Sequence, residues 1–268
     1  QHLFEGIVSA TGRDISLTDF EPMTLGSINA SRDLNVVSNS ALTSTAGAKI
    51  TAGRDASFSG ATITLNNEGE HALSTGGLTL NTSGDAEIVH SGELVFVDTS
   101  KVESLSLTND ANVSERAAGG RVEVSTQTVF DIDGAIVLDN LHAFGGEVVV
   151  VSASNAHFNT EGNLSLGNVN VTGNLLAIAD AKTGELQNVP DASIQVGEQA
   201  YLSGLTVDMG STRSADFQAG TLRISATQDA RVVEQGATQL SGSSVVGGAL
   251  FIDSKNIFQR ADSSLTVL

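Results

Sequence analysis

The sequence contains no cysteine and no tryptophan, and it has only one tyrosine and two prolines. Without cysteine, disulfide bridges and thiolate metal sites are excluded. A compact globule of 268 residues would lack the large rings on which such cores are usually built. A solenoid, in contrast, needs only thin layers of Val, Ile, Leu and Ala. These shortages therefore favour an elongated fold made of stacked repeats.

Basic residues are also scarce, since 13 Lys and Arg stand against 31 Asp and Glu, for a formal net charge of −18. No basic surface is available to displace phosphate counterions, which disfavours nucleic acid as a partner. The same charge disfavours docking on anionic lipid, and no apolar run approaches the roughly 18 residues of a membrane-spanning helix. We therefore expect no nucleic-acid binding, no membrane insertion and a surface kept soluble by its acidity.

A repeated pattern is the main feature that the sequence does contain. Residues 12–17 (GRDISL) return at residues 31–36 (SRDLNV) and at residues 53–58 (GRDASF), after 19 and 22 residues. Weaker copies begin at Gly84, Gly120, Gly146, Gly162, Gly220 and Gly248. Each copy is a turn residue, one or two polar residues and an apolar–polar–apolar triplet, so the chain is predicted to repeat one small structural unit.

The triplet has the period of a β-strand, which places Ile15 and Leu17 on one face and Ser16 on the other. Glycine suits the corner before it, where the chain needs a positive φ or a close backbone approach. A second short strand often precedes the corner, as at residues 28–30. Two short strands that meet at a corner are typical of a β-helix coil. At about 21 residues and about 4.8 Å per coil, we expect roughly 12–13 coils and a length of about 60 Å.

The sequence therefore predicts an all-β fold, a right-handed parallel β-helix, with a single domain over residues 1–268. Two alternatives stay open for that domain: a whole solenoid, or a segment of a longer one. An antiparallel sandwich would also use short strands, but Asp133-Gly134 is the sole hairpin dipeptide of the Asn-Gly or Asp-Gly type. Because the repeat spacing is irregular, we expect excursions from the coils at residues 109–120, 182–196 and 208–220.

Three stretches resemble the haemagglutinin-type repeats of filamentous haemagglutinin and related two-partner-secretion exoproteins. They are residues 30–36 (ASRDLNV), 50–58 (ITAGRDASF) and 60–67 (GATITLNN), and residues 169–175 (VNVTGNL) are a fainter copy. The resemblance implies a right-handed parallel β-helix, export through a dedicated outer-membrane pore, and a role in adhesion or as a surface fibre. It implies an extracellular or bacterial cell-surface location. The implied partner is a host-cell, neighbouring-cell or matrix surface, either protein or glycan.

One departure from that family concerns its secretion domain. The Asn-Pro-Asn signatures of the amino-terminal secretion domain do not occur in this sequence. We therefore expect an interior or distal stretch of an exoprotein, or a relative that is exported by another route. Repeats of this kind carry little information on activity, so the resemblance transfers the fold better than the function.

Asp131 and Asp133 are the strongest candidates for catalysis. Their spacing puts two carboxylates on one face of a strand, an arrangement that suits acid–base hydrolysis or calcium binding. Residues 159–161 (NTE) resemble the Asn-Thr-Asp of polygalacturonases, but the Gly-His-Gly and Arg-Ile-Lys motifs of that family are absent. An acidic groove near Asp131 and Asp133 in a polysaccharide hydrolase or lyase is the alternative function, and solvated strand-face acids are the simpler interpretation.

The remaining polar motifs predict no catalytic, cofactor or metal site. The five histidines, at positions 2, 71, 90, 142 and 157, have no metal-ligand spacing and are expected to be isolated outward residues. The Gly-Arg-Asp motifs are expected to be corner residues. Thr62, Thr64 and Thr79 suggest an ice-binding array, but equivalent outward positions carry Ser, Asn and Glu, which breaks a regular lattice. The aromatic residues to consider as sugar platforms are Phe4, Phe20, Phe144 and Tyr201.

Together these patterns predict an extracellular structural or adhesive β-helical protein: a surface fibre, an adhesin stalk or a filament subunit without catalysis. Coil ends offer free strand edges, which would permit end-to-end self-assembly into filaments. The competing hypotheses are the acidic-groove enzyme and a module that captures calcium or glycan on an acidic face.

Overall fold

The computed structural model describes residues 4–69, 72–210 and 216–268. Within these ranges the chain has thirty β-strands and no α-helix, and the strands stack in parallel as a β-solenoid of about 12 turns. This confirms the predicted all-β parallel solenoid. No helix in the described ranges is long and apolar enough to cross a membrane. The chain divides into two compact units, Gln1–Gly134 and Ala135–Leu268, which are described separately.

The first unit is built from short strands joined by tight turns. Within the described ranges its strands are β1 (Ile7–Gly12), β2 (Ile15–Asp19), β3 (Met23–Ala30), β4 (Leu34–Ser38), β5 (Ala41–Ser44), β6 (Ile50–Gly60), β7 (Thr62–Leu65), β8 (Ser74–Thr82), β9 (Ala86–His90), β10 (Leu94–Phe96), β11 (Thr99–Val102), β12 (Leu105–Asn109), β13 (Val113–Glu115), β14 (Arg121–Val124) and β15 (Thr128–Ile132). Each strand pairs with the strand one coil away.

The register of these pairs reproduces the sequence repeat. Strand β2 pairs with β4 and β4 pairs with β6, which brings Ile15, Leu34 and Ala56 into one column. The residues of that column are 19 and 22 positions apart, the same spacing as the repeated motif. The repeat is therefore one coil of the solenoid, as predicted.

Alternation along each strand separates the core from the surface. Val36, Phe58 and Leu80 stack in one buried column, each with no exposed surface. Their neighbours in sequence point outward, because successive side chains of a strand lie on opposite faces. Full burial of such a side chain contributes about 1.5–3 kcal/mol. These apolar columns are thus the main source of stability.

Close approach of the adjacent backbone requires glycine at position 53. Neither Gly12 nor Gly53 has a positive φ. A Cβ atom at Gly53 would lie 2.4 Å from the main-chain oxygen of Ser31 in the adjacent coil. Of the two reasons predicted for glycine at the corner, the close approach is therefore the one that operates at Gly53.

Some polar side chains point inward at the turns and bind main-chain groups there. The carboxylate of Asp19 accepts hydrogen bonds from the N–H groups of Phe4, Phe20 and Glu21, at 2.7, 2.7 and 3.2 Å. These bonds satisfy amides that the tight turn leaves without a strand partner. Where the chain changes direction, such side chains supply the hydrogen bonds that the main chain of a neighbouring strand supplies elsewhere.

His90 is a second inward polar residue, and it is 2% exposed. Its Nε2 accepts the N–H of Thr75 at 3.1 Å, and its Nδ1 lies 2.9 Å from Oδ1 of Asn109. A neutral ring with hydrogen on Nδ1 satisfies both contacts, and burial lowers the pKa of His90. His142 is also fully buried. The prediction of outward histidines was therefore wrong for these two.

The other histidines differ from one another. His157 is half-buried and its ring forms an ion pair with the carboxylate of Asp139 when protonated. His2 and His71 lie outside the described residues.

The second unit repeats the same construction. Within the described ranges its strands are β16 (Ile136–Phe144), β17 (Glu147–Ala153), β18 (Ala156–Thr160), β19 (Leu164–Val171), β20 (Leu175–Ile178), β21 (Glu185–Asn188), β22 (Ser193–Gly204), β23 (Thr206–Met209), β24 (Asp216–Ala226), β25 (Ala230–Val233), β26 (Ala237–Leu240), β27 (Ser243–Val246), β28 (Leu250–Asp253), β29 (Asn256–Gln259) and β30 (Ser264–Val267). Strand β20 pairs with β22 and β22 with β24, which stacks Leu175, Ala200 and Leu222 in one column.

The predicted excursions at residues 109–120 and 182–196 were wrong. Val113 of β13 is in register with Leu94 of β10, and Ile194 of β22 is in register with Val169 of β19. Irregular spacing is absorbed by tight turns, so the coils continue through both stretches. The third predicted excursion, at residues 208–220, overlaps residues 211–215, which lie outside the described residues.

Candidate functional site

The aspartates of the three Arg-Asp dipeptides line a groove on the first unit, which we name the corner groove. One wall is the column Asp14, Asp33 and Asp55, the opposite wall is Val97 and Asp98, and the floor carries Ser16, Asn35, Ser57 and Thr79. The four floor residues occupy equivalent positions in successive coils. The groove has a volume of about 360 Å³, within the roughly 300–1,000 Å³ of typical ligand sites.

Arginine side chains link the coils along the aspartate wall. Arg54 makes a two-bond contact with Asp33 in the adjacent coil, with Nε–Oδ1 and Nη2–Oδ2 distances of 3.0 and 2.9 Å. Arg32 lies 3.4 Å from Asp14, and Arg116 lies 3.3 Å from Asp55. The result is a ladder of alternating charge that follows the stacking direction.

The ladder keeps the carboxylate of Asp33 ionised. Partial burial acts to raise the pKa of Asp33, but the hydrogen bond and the charge of Arg54 outweigh it, and the pKa lies below its ordinary value. Exposed ion pairs of this kind add little stability. Their arrangement instead gives the groove a row of alternating positive and negative groups.

The structure places residues 13–14 at a bend between β1 and β2, as predicted, whereas residues 53–55 lie within β6, where its pairing with β8 shifts register. The sequence reasoning missed that Arg and Asp of different coils pair to form one wall of a groove. The signal was available, since an Arg-Asp dipeptide recurs at coil spacing at residues 13–14, 32–33 and 54–55.

Asp131 and Asp133 line a second groove of the first unit, the acidic groove, together with Glu68 and Asp110. Asp110 accepts hydrogen bonds from the Gly92 N–H at 2.6 Å and from the Ser91 hydroxyl at 2.7 Å. These bonds hold the pKa of Asp110 below its ordinary value. The structure thus brings both predicted candidates into one groove beside a carboxylate that is kept ionised.

Glycoside hydrolysis also needs an acid that retains its proton, which requires a raised pKa. Among the described carboxyl groups with a resolved shift, the raised one belongs to Glu234 of the second unit. In the described part of the chain, no three His, Asp or Glu side chains converge as a metal-binding group. The acidic groove therefore brings several carboxylates together, of which Asp110 is held in its basic form.

The aromatic candidates occupy different environments. Phe20 is 51% exposed, whereas Phe144 is 6% exposed and packs edge-to-face against Phe158 at a centroid distance of 6.1 Å. Phe144 is thus a core residue and not a platform. The guanidinium of Arg223 lies 4.6 Å from the ring centre of half-buried Tyr201. Phe4 is half-buried beside Asp19, which accepts its main-chain N–H.

The threonines that suggested an ice-binding array belong to two strands. Thr62 and Thr64 lie on β7, and Thr79 lies on β8. Thr79 stacks on Ser57, and Thr64 stacks on Glu87. Mixed columns of this kind do not form a flat threonine lattice.

Glu234 is a buried carboxylate in the second unit, 4% exposed. Its Oε1 accepts the Ala219 N–H at 3.1 Å, and its Oε2 accepts the Thr238 hydroxyl at 2.6 Å. Burial raises the pKa of Glu234 and outweighs these two bonds. At this short turn, the Glu234 carboxylate accepts hydrogen bonds in place of a main-chain oxygen from a neighbouring strand.

Glu234→Gln is expected to stabilise the protein at pH 7, because the amide oxygen can accept the Ala219 N–H, the amide nitrogen can donate to the Thr238 hydroxyl oxygen once that hydroxyl turns, and no charge is buried. A raised pKa in the folded state favours folding below the ordinary pKa of 4.5, and this contribution is lost as the pH rises. Thermal unfolding should show a Tm gain of about 2–4 °C at pH 7 and none at pH 3.5. The matched variant Glu185→Gln changes an exposed glutamate of the same unit and should leave Tm unchanged. A gain that persists unchanged at pH 3.5 would contradict this account of Glu234.

Comparison with known proteins gives one family match. Residues 12–79 and 83–151, together 137 of the 268 residues, match the family described as repeats of unknown function (DUF5649). No curated protein and no solved structure matches the chain significantly. The first matched stretch contains Arg32, Arg54 and the three aspartates of the charged ladder, and the second contains Arg116, Asp131 and Asp133. Since the match covers more than half of its length, this chain belongs to the DUF5649 repeat family.

Proposed function

We propose that this chain is an extracellular structural and adhesive element, whose β-solenoid presents repeated polar groups to another surface. The observation that carries the proposal is the charged ladder of the corner groove, in which Arg54 bridges to Asp33 and Arg116 to Asp55 across coils. A partner that spans several coils meets the same groups several times. Weak contacts that are repeated in this way multiply into firm attachment.

The resemblance to filamentous haemagglutinin and other two-partner-secretion exoproteins supports an adhesive role and a location outside a bacterial cell. The absence of cysteine is compatible with export as an unfolded chain, since no disulfide can form before passage through a pore. The proposed partner is a host-cell, neighbouring-cell or matrix surface. Assembly end to end into filaments is also proposed, because an open strand edge of a parallel solenoid can pair with a second copy of the chain.

The adhesive proposal predicts that the corner groove is needed for attachment. Beads coated with the full chain are allowed to settle on epithelial cells and on collagen- or fibronectin-coated glass, and retention under flow is measured. The double variant Asp33→Asn/Asp55→Asn breaks two rungs of the ladder. Its retention should fall at least about tenfold, because avidity multiplies the loss of each contact.

Asp131→Asn/Asp133→Asn is the matched control, since it removes two negative charges from the acidic groove of the same unit. These beads should be retained like those with the natural chain. Equal loss of bead retention in both variants would mean that net charge, and not the corner groove, controls attachment, and would contradict the proposed role of this groove. Absence of retention on every surface by the natural chain would overturn the adhesive proposal.

The same control variant addresses the alternative function, a polysaccharide hydrolase or lyase. The observation that favours this alternative is that Asp131 and Asp133 line one groove with Asp110. Cleavage of a glycan by the natural chain, with loss of turnover in Asp133→Asn, would establish it. In that case the role of adhesion would be to hold the enzyme on its substrate.

A further inference from the structure

We propose a second binding site on the other unit: a groove that takes a neutral, hydroxyl-rich glycan chain. The site, named the amide groove, runs across three coils of the second unit. Asn170, Gln195 and Gln218 occupy equivalent positions along one wall. Its volume is about 560 Å³, within the roughly 300–1,000 Å³ of typical ligand sites.

The floor of the amide groove lacks side chains because two corner residues are glycines. A Cβ atom at Gly197 would lie 2.1 Å from the oxygen of Thr172, and one at Gly220 would lie 2.6 Å from the oxygen of Glu198. The adjacent coil therefore leaves no room for a side chain at either glycine position. The groove beside the amide wall is a built-in consequence of the coil geometry.

Two of the amides are held in place from behind. Nε2 of Gln195 donates to Oδ2 of Asp216 at 3.0 Å, and Nε2 of Gln218 donates to Oδ1 of the same carboxylate at 3.3 Å. One carboxylate thus orients both amide planes. In the described part of the chain, neither amide oxygen receives a hydrogen bond from a protein donor. The two oxygens form a preorganised pair of acceptors.

The charge of the groove selects an uncharged ligand. Among the described residues, its lining has no lysine, arginine or aspartate, and the one carboxylate there, Glu234, is buried and bonded to Ala219 and Thr238. A cationic ligand would bind instead to the more accessible carboxylates elsewhere on the chain, which has a net charge of −18. An anionic ligand finds no counter-charge on the part of the groove that the structure describes. Neutral hydrogen-bond donors are what this lining can hold.

The spacing of the acceptors separates a glycan from a peptide. Adjacent coils are about 4.8 Å apart, whereas N–H groups on one side of an extended peptide recur at about 6.6 Å, two residues at about 3.3 Å. A peptide strand therefore cannot meet both acceptors with successive N–H groups. Hydroxyl groups rotate about their C–O bonds and adapt to the coil spacing. A sugar chain laid across the coils offers such donors repeatedly.

Calorimetric titration of the full chain tests the proposal. The probes are cellohexaose, xylohexaose and mannohexaose, with a hexamer of galacturonic acid as the charged comparison. We expect at least one neutral hexasaccharide to bind more tightly than the acidic one. Gln195→Leu/Gln218→Leu should weaken that binding about tenfold, the loss expected for two hydrogen bonds.

The matched control is Gln187→Leu, which replaces an outward glutamine of the same unit whose amide bonds to Ser165. Its affinity and its Tm should equal those of the natural chain, and the Tm of the double variant should be unchanged as well. Failure of all neutral probes to bind, tighter binding of the acidic hexamer, or full affinity in the double variant would overturn the proposal. Asp33→Asn/Asp55→Asn should bind the sugar normally, so this result is independent of the adhesive function of the corner groove.

Discussion

Phe58→Ala is expected to lower the free energy of unfolding by about 3–5 kcal/mol. Phe58 is fully buried between Val36 and Leu80 in the stacked column of the first unit. Removing its ring leaves a cavity that strands β4, β6 and β8 cannot close, because their hydrogen bonds fix the spacing of the coils. The loss therefore combines the free energy of transferring the ring to water with the van der Waals contacts that are lost around the cavity.

Denaturant unfolding followed by circular dichroism measures this effect. Phe20→Ala is the matched control, because it deletes the same ring from a position that is 51% exposed, and it should change the free energy of unfolding by less than about 0.5 kcal/mol. Similar losses in both variants would contradict the stacking of Phe58 inside the coils.

Gly53→Ala is expected to destabilise the first unit by about 1–3 kcal/mol. The new methyl group would lie 2.4 Å from the Ser31 oxygen, so the backbone of the adjacent coil must move. Gly12 begins the same sequence motif, but a Cβ atom there would meet nothing nearer than Ile15 Cγ1 at 3.4 Å. Gly12→Ala should therefore be neutral or stabilise by about 0.4–1 kcal/mol, through the reduced freedom of the unfolded chain.

The difference between the two alanine variants is the informative quantity, measured as the change in denaturant midpoint at constant slope. Both glycines precede an Arg-Asp dipeptide, so local sequence predicts equal effects. Equal loss at both positions would mean that the corner itself requires glycine. The structure assigns the requirement to the neighbouring coil.

Local pattern was enough to predict the coils. The alternation of Ile15, Ser16 and Leu17 indicates a strand because a period of two is visible within one arm. Recurrence of the motif after 19 and 22 residues then indicates which arms stack. The parallel solenoid therefore followed from the sequence, and the adhesive function stays a prediction.

Contacts between coils were harder to predict, because they depend on register and on turns. Arg54 pairs with Asp33 of the adjacent coil and not with its sequence neighbour Asp55. The histidine prediction failed for His90, since its partners Thr75 and Asn109 come from other coils. The ladder was overlooked and the histidine prediction was wrong for the same reason. A polar side chain can find its hydrogen-bond partners on other coils, which are distant in sequence.

The candidate grooves were predictable in part. Asp131 and Asp133 were singled out from their spacing, and they do line one groove. The amide groove was missed, because Gln195 and Gln218 become a pair only through their register and through Asp216. No local motif marks that pair.

The parallel register has a consequence for how the chain acquires its fold. Because Leu34 finds its partners at Ile15 and Ala56, only 19 and 22 positions away, loop closure for each new coil costs little entropy. A coil can dock as soon as one further repeat has appeared beside a preformed one. Folding can therefore proceed progressively, one coil at a time, as the chain emerges, without waiting for its carboxyl end.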